Sequence, residues 1–597
     1  MENTSPKKKH TLLKWVLGII ITIVLLAGAT AWYLNEKWKP LLTTEIENSI
    51  IDATDSLYRV KFTKIQVNIL SGGVIVDSVE ITPDLRIYKK LIDKRIAPEN
   101  LFSINLSKLS LKQVNPLKVY RERKLVIENI TIQDPSLSIF YTKLPNKLKK
   151  APDNRTPYQK LKSVLDELKI GSIFLNDVKF KYVDQSLKKT KTTFLDRMNI
   201  RINDILIDSI SQNDSTRIFN AKDIIAEISD YDFATPDSMY HLHLKHAFIS
   251  TLKKQLIISG AGLIPRYTDM AFSRQFEKQQ ESYRLTFDSI MVDNLNFNNL
   301  IDSRTVKSDK ITIKNGELAV FLNREKPVKN IDKGKNFPHL ALQRVPWDII
   351  VDTTVIKNIN VSYSEYNPKT EAKGTIHFNG LKGTIFNVTN DSASLSNKNI
   401  ANAYLETMLM GKGKINVHIA FNLSDPKGGF SYDGKLGSMP TSAINSITIP
   451  LAMVKTSSGQ VHGMDFNIKG NVDGAGGTLT LRYDDLNVIL MKKDEAENFK
   501  KMGLISLFAN ALLVNNANPK GNNPLTVAHP YYARPPEGSF FNLMWKTIFQ
   551  GLKQSIGISK DKEAKLTKRA ENFKDAKAAR ERRKQERQKR REERKKE

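Results

Sequence analysis

Beyond residue 40, apolar and polar positions alternate with a period of two, the pattern of strands with one buried and one solvated face. Lys124–Tyr141 (KLVIENITIQDPSLSIFY) and Leu168–Asp184 (LKIGSIFLNDVKFKYVD) place an apolar residue at nearly every second position. A short unit recurs along the chain: two apolar residues, a polar residue, Asp or Asn, then an alternating run often ending in an aromatic. It reads Phe174–Tyr182, Met291–Phe297 and Val355–Tyr363, with looser copies at Ile132–Ile139 and Ile313–Val320. Asp and Asn bond to the nearby backbone and tolerate left-handed geometry, so each copy predicts strand, tight corner, strand. The copies are unevenly spaced, which excludes a strict solenoid. The expected fold is mainly β: a growing antiparallel sheet with variable insertions and a few helices.

Helices are predicted from Thr156-Pro157, with Leu161, Val164, Leu165 and Leu168 as the apolar stripe, over Arg86–Ile92, and over Asn498–Val514. Arg324–Pro338 reads as a loop. Residues 515–538 carry Asn518-Pro519, Asn523-Pro524, His529-Pro530 and Pro535-Pro536, a linker whose prolines are expected to end the sheet. Ser539 then caps an amphipathic helix over 539–557. Its apolar positions, Phe541, Met544, Trp545, Ile548, Phe549 and Leu552, fall at spacings of three and four. Such a stripe either packs on a core or lies in a membrane interface.

Ahead of this body, Trp15–Leu34 is an uncharged run about as long as a bilayer core requires. Trp15, Ile19, Ile20, Ile21, Ile23, Leu25, Leu26, Trp32 and Tyr33 carry the anchor, with aromatics at both ends. Lys7, Lys8, Lys9 and Lys14 place residues 1–14 in the cytoplasm by the positive-inside rule. The competing reading is a signal peptide cleaved after Ala29-Thr30-Ala31. Either way the rest of the chain is exported, and the expected location is the periplasmic side of a bacterial inner membrane.

Composition changes the picture in two ways. The 597 residues contain no cysteine, so disulfides, thiolate metal sites and thiol nucleophiles are excluded. The net charge of +29 would ordinarily suggest nucleic acid. No zinc-finger spacing, RNP motif or basic-region heptad accompanies it. The tail from Lys560 to Glu597 holds 18 Lys/Arg against 9 Asp/Glu, a surplus of +9. This basic tail over 558–597 reads as a solvated helix or disordered segment, and the surplus as attraction to anionic lipid head groups.

Candidate chemistry is sparse. His241, His243 and His246 are the one histidine cluster; on a strand, His241 and His243 share a face and could offer two imidazoles to zinc. Exposed strand histidines are the plainer reading. Gly411-Lys412-Gly413-Lys414 lacks P-loop spacing, and no nucleophile elbow or H-E-x-x-H helix occurs. The chain is therefore expected to be no enzyme and to hold no cofactor.

Residues 421–490 contain Phe430-Ser431-Tyr432-Asp433-Gly434, Asn445 with Ile449-Pro450-Leu451-Ala452, Ser458-Gly459-Gln460-Val461, and Gly477–Leu486. This order of a G-x-L strand, an N-x-I-x-x-P-L-A turn, an S-G-x-V strand and a Y-x-D-L strand resembles the C-terminal region of AsmA-like envelope proteins. The resemblance implies that residues 40–514 form an elongated, twisted antiparallel β-groove with an apolar inner face. It further implies phospholipid movement between inner and outer membranes and support of outer-membrane integrity. The basic tail is not part of that pattern. Phe180, Phe297 and Val361 are the strand positions expected on the apolar face. Two rivals remain: an envelope assembly factor whose filled β core grips partner proteins, and a hydrolase using His241 and His243.

Overall fold

The computed structural model describes residues 54, 56–68, 72–114, 118, 121–144, 155–162, 165–186, 190–493, 499–501 and 514–558. The predicted anchor at Trp15–Leu34 and the tail beyond residue 558 lie outside them. Among the described residues no helix is long and apolar enough to cross a membrane.

The first strands are β1 (Tyr58–Lys61), β2 (Lys64–Asn68) and β3 (Gly73–Pro83), followed by helix α1 (Leu85–Asp93). Then come β4 (Asn100–Lys112), β5 (Lys124–Gln133), β6 (Ser136–Tyr141), α2 (Pro157–Leu161), β7 (Glu167–Asp184) and β8 (Lys191–Ile207). The chain continues through β9 (Ala221–Ala234), β10 (Tyr240–Ser250), β11 (Gln255–Pro265), α3 (Asp269–Arg274), β12 (Ser282–Asp293) and α4 (Phe297–Ser303). Next are β13 (Thr305–Asn323), α5 (Pro338–Leu342), β14 (Asp348–Asn367), β15 (Ala372–Thr389), α6 (Ser392–Asn397), β16 (Ile400–Leu409) and β17 (Gly413–Asn422). The last elements are β18 (Phe430–Leu436), β19 (Met439–Pro440), α7 (Asn445–Ala452), β20 (Val454–Gly470), β21 (Gly474–Lys493), β22 (Phe499–Lys501), β23 (Val527–Ala528), β24 (Tyr531–Ala533) and α8 (Phe540–Ser555). The mainly β expectation holds.

Two compact units divide the described chain. One holds residues up to 266 with 285–314 and 347–354; the other holds 267–284, 315–346 and 355 onward.

In the first unit the neighbouring strands β7 to β12 pair antiparallel, each with the next. The antiparallel expectation needs one correction. Strands β5 and β6 both pair antiparallel with β4 but parallel with β7, so the sheet is mixed. Parallel neighbours need a long connection, and the stretch of chain between β6 and β7, in which α2 lies, is long enough for one. Thr156 caps α2 as its sequence predicts, Gln159 completes a capping box with it, and Leu168 belongs to β7 rather than to the helix. Asp84 caps α1 by accepting from the Arg86 and Ile87 amides. The core of this unit includes Val76, Ile81, Leu111, Leu125, Ile127, Ile130, Leu168 and Ile170, contributed by β3, β4, β5 and β7.

The recurring Asp/Asn corners differ from expectation in an informative way. Asp177, Asn315 and Asn358 adopt positive φ (58°, 46° and 56°), yet each lies inside a single long strand. They are bends within a strand rather than turns between strands. Asp134 joins β5 to β6, and Asn294 ends β12 ahead of α4. Side chains close these bends: the Asp177 amide donates to Asn199 Oδ1 at 3.0 Å. In the second unit Asn358 Nδ2 donates to Asn315 Oδ1, also at 3.0 Å.

In the second unit β15 to β18, β20 and β21 pair antiparallel in succession, with β20 following β18 directly. Of the four motif segments at 421–490, three lie in strands β18, β20 and β21. The Asn445–Ala452 segment is helix α7 rather than a turn. The proline-rich 515–538 stretch does not end the sheet. Its β23 and β24 pair with β21, between the prolines, where backbone N–H groups are free to donate. Asn518 holds the stretch in place, donating to the Leu481 and Thr526 carbonyls and accepting from the Thr526 amide. The helix expected over Asn498–Val514 is replaced at its start by β22, paired with Met491–Lys493; residues 502–513 lie outside the described set.

Candidate functional site

The most distinctive surface lies on β8–β12 of the first unit. Cross-strand register aligns Met198, Ile228, Ala247, Ile258 and Ile290 in one row. A second row is Tyr231, Leu244, Ala261 and Phe287, and a third is Phe233, Leu242, Leu263 and Leu285. Rows of the opposite character lie between them: Ser229, His246, Ser259 and Ser289, then Asp232, His243, Gly262 and Thr286. Residues two apart share a face and register partners project to the same side, so across these five rows one face is apolar and the other polar, while the flanking rows of the second face bring in Phe248, Ile257 and Met291 at one end and Ile264 at the other.

Alternation slips by one residue on all four strands at the same place. The apolar set runs 226, 228, then 231, 233 on β9, and 249, 247, then 244, 242 on β10. On β11 it runs 256, 258, then 261, 263, and on β12 292, 290, then 287, 285. Asp230 (φ 50°) and Gly260 (φ 62°) sit at the slip with left-handed backbone. At Gly260 a Cβ would stand 2.7 Å from the Lys245 Cβ, so glycine is required there for space as well as conformation. On β9 and β11 the left-handed residue bends the strand at the slip, and the cross-strand register stays one-to-one on either side of it. Similar slips on β8 fall at Asp204 and Arg197, both with positive φ.

None of the residues in the three apolar rows is buried, and Leu242 is 44% exposed. The adjoining row of Ala226, Ile249, Leu256 and Val292 is partly roofed: Val292 is buried with Leu295 and Phe297, and Ile249, Leu256, Leu300 and Ile301 pack against that cluster. Spacings of about 4.8 Å between strands and 6.8 Å between alternate residues give an uncovered apolar area on the order of 400 Å². That is a large contiguous patch for a water-facing surface.

The named strand positions fall elsewhere. Phe180 lies on β7 and packs against the closed core of the first unit. Phe297 is not on a strand: it opens α4 and is buried with Val292 and Leu295. Val361 lies half-buried on β14 in the second unit. His243 and His246 sit on the polar rows, and His241 lies in register with Ala234 and Ile264. His241 Nδ1 and His243 Nδ1 approach Asp232 at 3.0 and 3.7 Å, all three well exposed. Among the described residues no group of three or more side chains is placed to hold a metal ion.

The second unit has the opposite character: its apolar face is filled by side chains. Helix α8 lies on β21, its Ser539 cap accepting from the Asn542 amide as predicted. Phe540 meets the rings of Phe430 at 4.9 Å, Phe337 at 5.3 Å and Phe421 at 5.6 Å. Tyr432 donates its hydroxyl to the Met544 carbonyl at 3.1 Å, and burial raises its pKa.

His339 is enclosed in this aromatic cluster, 3% exposed, with no hydrogen bond of normal geometry at either ring nitrogen. Burial holds its pKa below 6.5, outweighing the Gly428 backbone and Asp425, which favour the charged form. Folded His339 is neutral, while the unfolded chain takes up a proton below about pH 6.5. Its contribution to stability is therefore complete above that pH and lost as pH falls from there through the folded pKa. Thermal unfolding from pH 7.5 to 5 should show a fall in Tm that His339→Leu reduces; an identical slope in both proteins would remove His339 as a source.

No family model matches the chain, and no curated protein matches it.

Proposed function

We propose that the chain is a non-enzymatic lipid-binding protein of the bacterial envelope, held at the inner membrane by Trp15–Leu34, whose β body carries phospholipid acyl chains between the inner and outer membranes. The observation that carries this reading is the set of three uncovered apolar rows on β8–β12, backed by polar rows on the other face. An apolar sheet face that no described element covers calls for another apolar cover, and acyl chains supply one at about 0.8 kcal/mol for each CH2 buried. The AsmA-like motifs of residues 421–490 support the same reading. The basic tail over 558–597 fits it as a segment attracted to anionic head groups.

The filled aromatic cluster of the second unit favours, for that part of the chain, the rival reading of an assembly factor with a side-chain core. A photoreactive benzophenone residue separates the two in the first unit. Placed at Leu242 on the apolar face, it should form phospholipid adducts in cells; at His243 on the polar face it should form few. Protein adducts at Leu242 with no lipid would favour the assembly factor.

A further inference from the structure

Helix α8 is turned away from the direction its own sequence suggests. The apolar stripe of Phe541, Met544, Trp545, Ile548, Phe549 and Leu552 would ordinarily face the core. The buried face is instead Phe540, Leu543, Thr547, Gly551 and Ser555, about 100° around the helix. Small residues explain this. Gly551 lies so close to Leu479 that an added Cβ would stand 2.9 Å from its side chain, and Thr547 satisfies its buried hydroxyl on the Leu543 carbonyl. Met544, Ile548 and Leu552 then pack at the margin of the core. Phe541, Trp545 and Phe549 remain on the far side, 69%, 40% and 38% exposed. They fall at intervals of four, with the Trp545 and Phe549 rings 6.0 Å apart.

Charge along the helix itself has one sign, although Lys546 is partly buried and feels Glu365 of β14. Between Glu537 and Asp561 there is no acidic residue, only Lys546, Lys553 and Lys560. The Lys553 ammonium sits 5.5 Å from the Phe549 ring centre. Beyond Lys560 the sequence adds a further surplus of basic residues.

We propose that the Phe541–Trp545–Phe549 stripe is a docking face for the surface of an anionic phospholipid bilayer. Tryptophan and phenylalanine are side chains that seat at the boundary of head group and acyl region, and lysines beside them meet lipid phosphates. In this geometry α8 fastens inward through its small-residue face and outward through its aromatic face. The inference does not rest on the lipid-carrying reading of β8–β12, since a bilayer-docked assembly factor would carry the same stripe.

The absence of cysteine makes the test direct. Nitroxide labels on F541C and F549C, each in the full chain, are compared with one on K520C in an exposed loop. With vesicles containing about 30% phosphatidylglycerol, nickel accessibility at 541 and 549 should drop at least about threefold and oxygen accessibility rise. The K520C label should stay accessible to nickel. Wholly zwitterionic vesicles or high salt should reverse much of the change. Labels at 541 and 549 that remain accessible to nickel on anionic vesicles would overturn the proposal. So would shielding already present without lipid, which would mean that protein covers the stripe. Lipid bound elsewhere on the chain leaves both overturning results unchanged, so this test fails separately from the lipid-carrying reading.

Discussion

The double substitution Ala247→Asp with Ile258→Asp is expected to lower extraction of a fluorescent phospholipid from donor vesicles by at least about tenfold, with folding retained. The two residues are direct register partners on β10 and β11, in the middle of the first apolar row. Both are partly exposed, so the carboxylates stay hydrated in the lipid-free protein and their repulsion across the register costs the sheet only about 1 kcal/mol. An acyl chain lying across the row would have to strip water from two charges, a cost of several kcal/mol with no cation in the row to offset it. His246→Asp, in the neighbouring polar row, is the matched control and should extract lipid at the parental rate. Equal extraction by all three proteins would show that lipid does not use this face.

Phe540→Ala should produce the largest loss of stability, about 3–5 kcal/mol, in the second unit. Phe540 is 4% exposed and sits among the rings of Phe337, Phe421 and Phe430, so its removal leaves a cavity bounded by rigid aromatics. Because it also opens α8, the loss should appear as release of that helix from β21. Hydrogen exchange should show faster exchange at the Leu543 and Thr547 amides. Phe541→Ala, one residue along and 69% exposed, should change stability by no more than about 0.5 kcal/mol. A comparable loss in both variants would mean that α8 is not oriented as described.

The β class, the start of α2, the position of α1 and the Ser539 cap were legible in the sequence because each depends on local chemistry. Alternation reports burial on one face, and Thr156 followed by Pro157 is a self-contained helix start. Asp177 and Asn358 were legible as left-handed positions but not as bends within one strand, since whether a chain folds back or continues depends on the strand beside it. The parallel pairing of β5 and β6 with β7 was hidden for the same reason.

The apolar face was partly legible. Its rows follow from alternation that slips by one, as in Ile228 to Tyr231 and Leu244 to Ala247, but placing the rows side by side requires register. Phe297 misled because an aromatic after Asn looks like a strand end, whereas Asn296 accepts from the Asn299 amide and caps a helix. The orientation of α8 could not be read from hydrophobicity, because close approach at Gly551 outweighed the larger side chains. Glycine, threonine and serine at intervals of four were the signal for it.

The central claim is that this chain carries lipid on an uncovered apolar sheet face. Lipid mass spectrometry on residues 40–597, purified without detergent, tests it most directly. Several phospholipid molecules for each chain, displaced by Ala247→Asp with Ile258→Asp, is the expected result. A monodisperse protein free of lipid would contradict the claim and leave a filled-core assembly factor in its place.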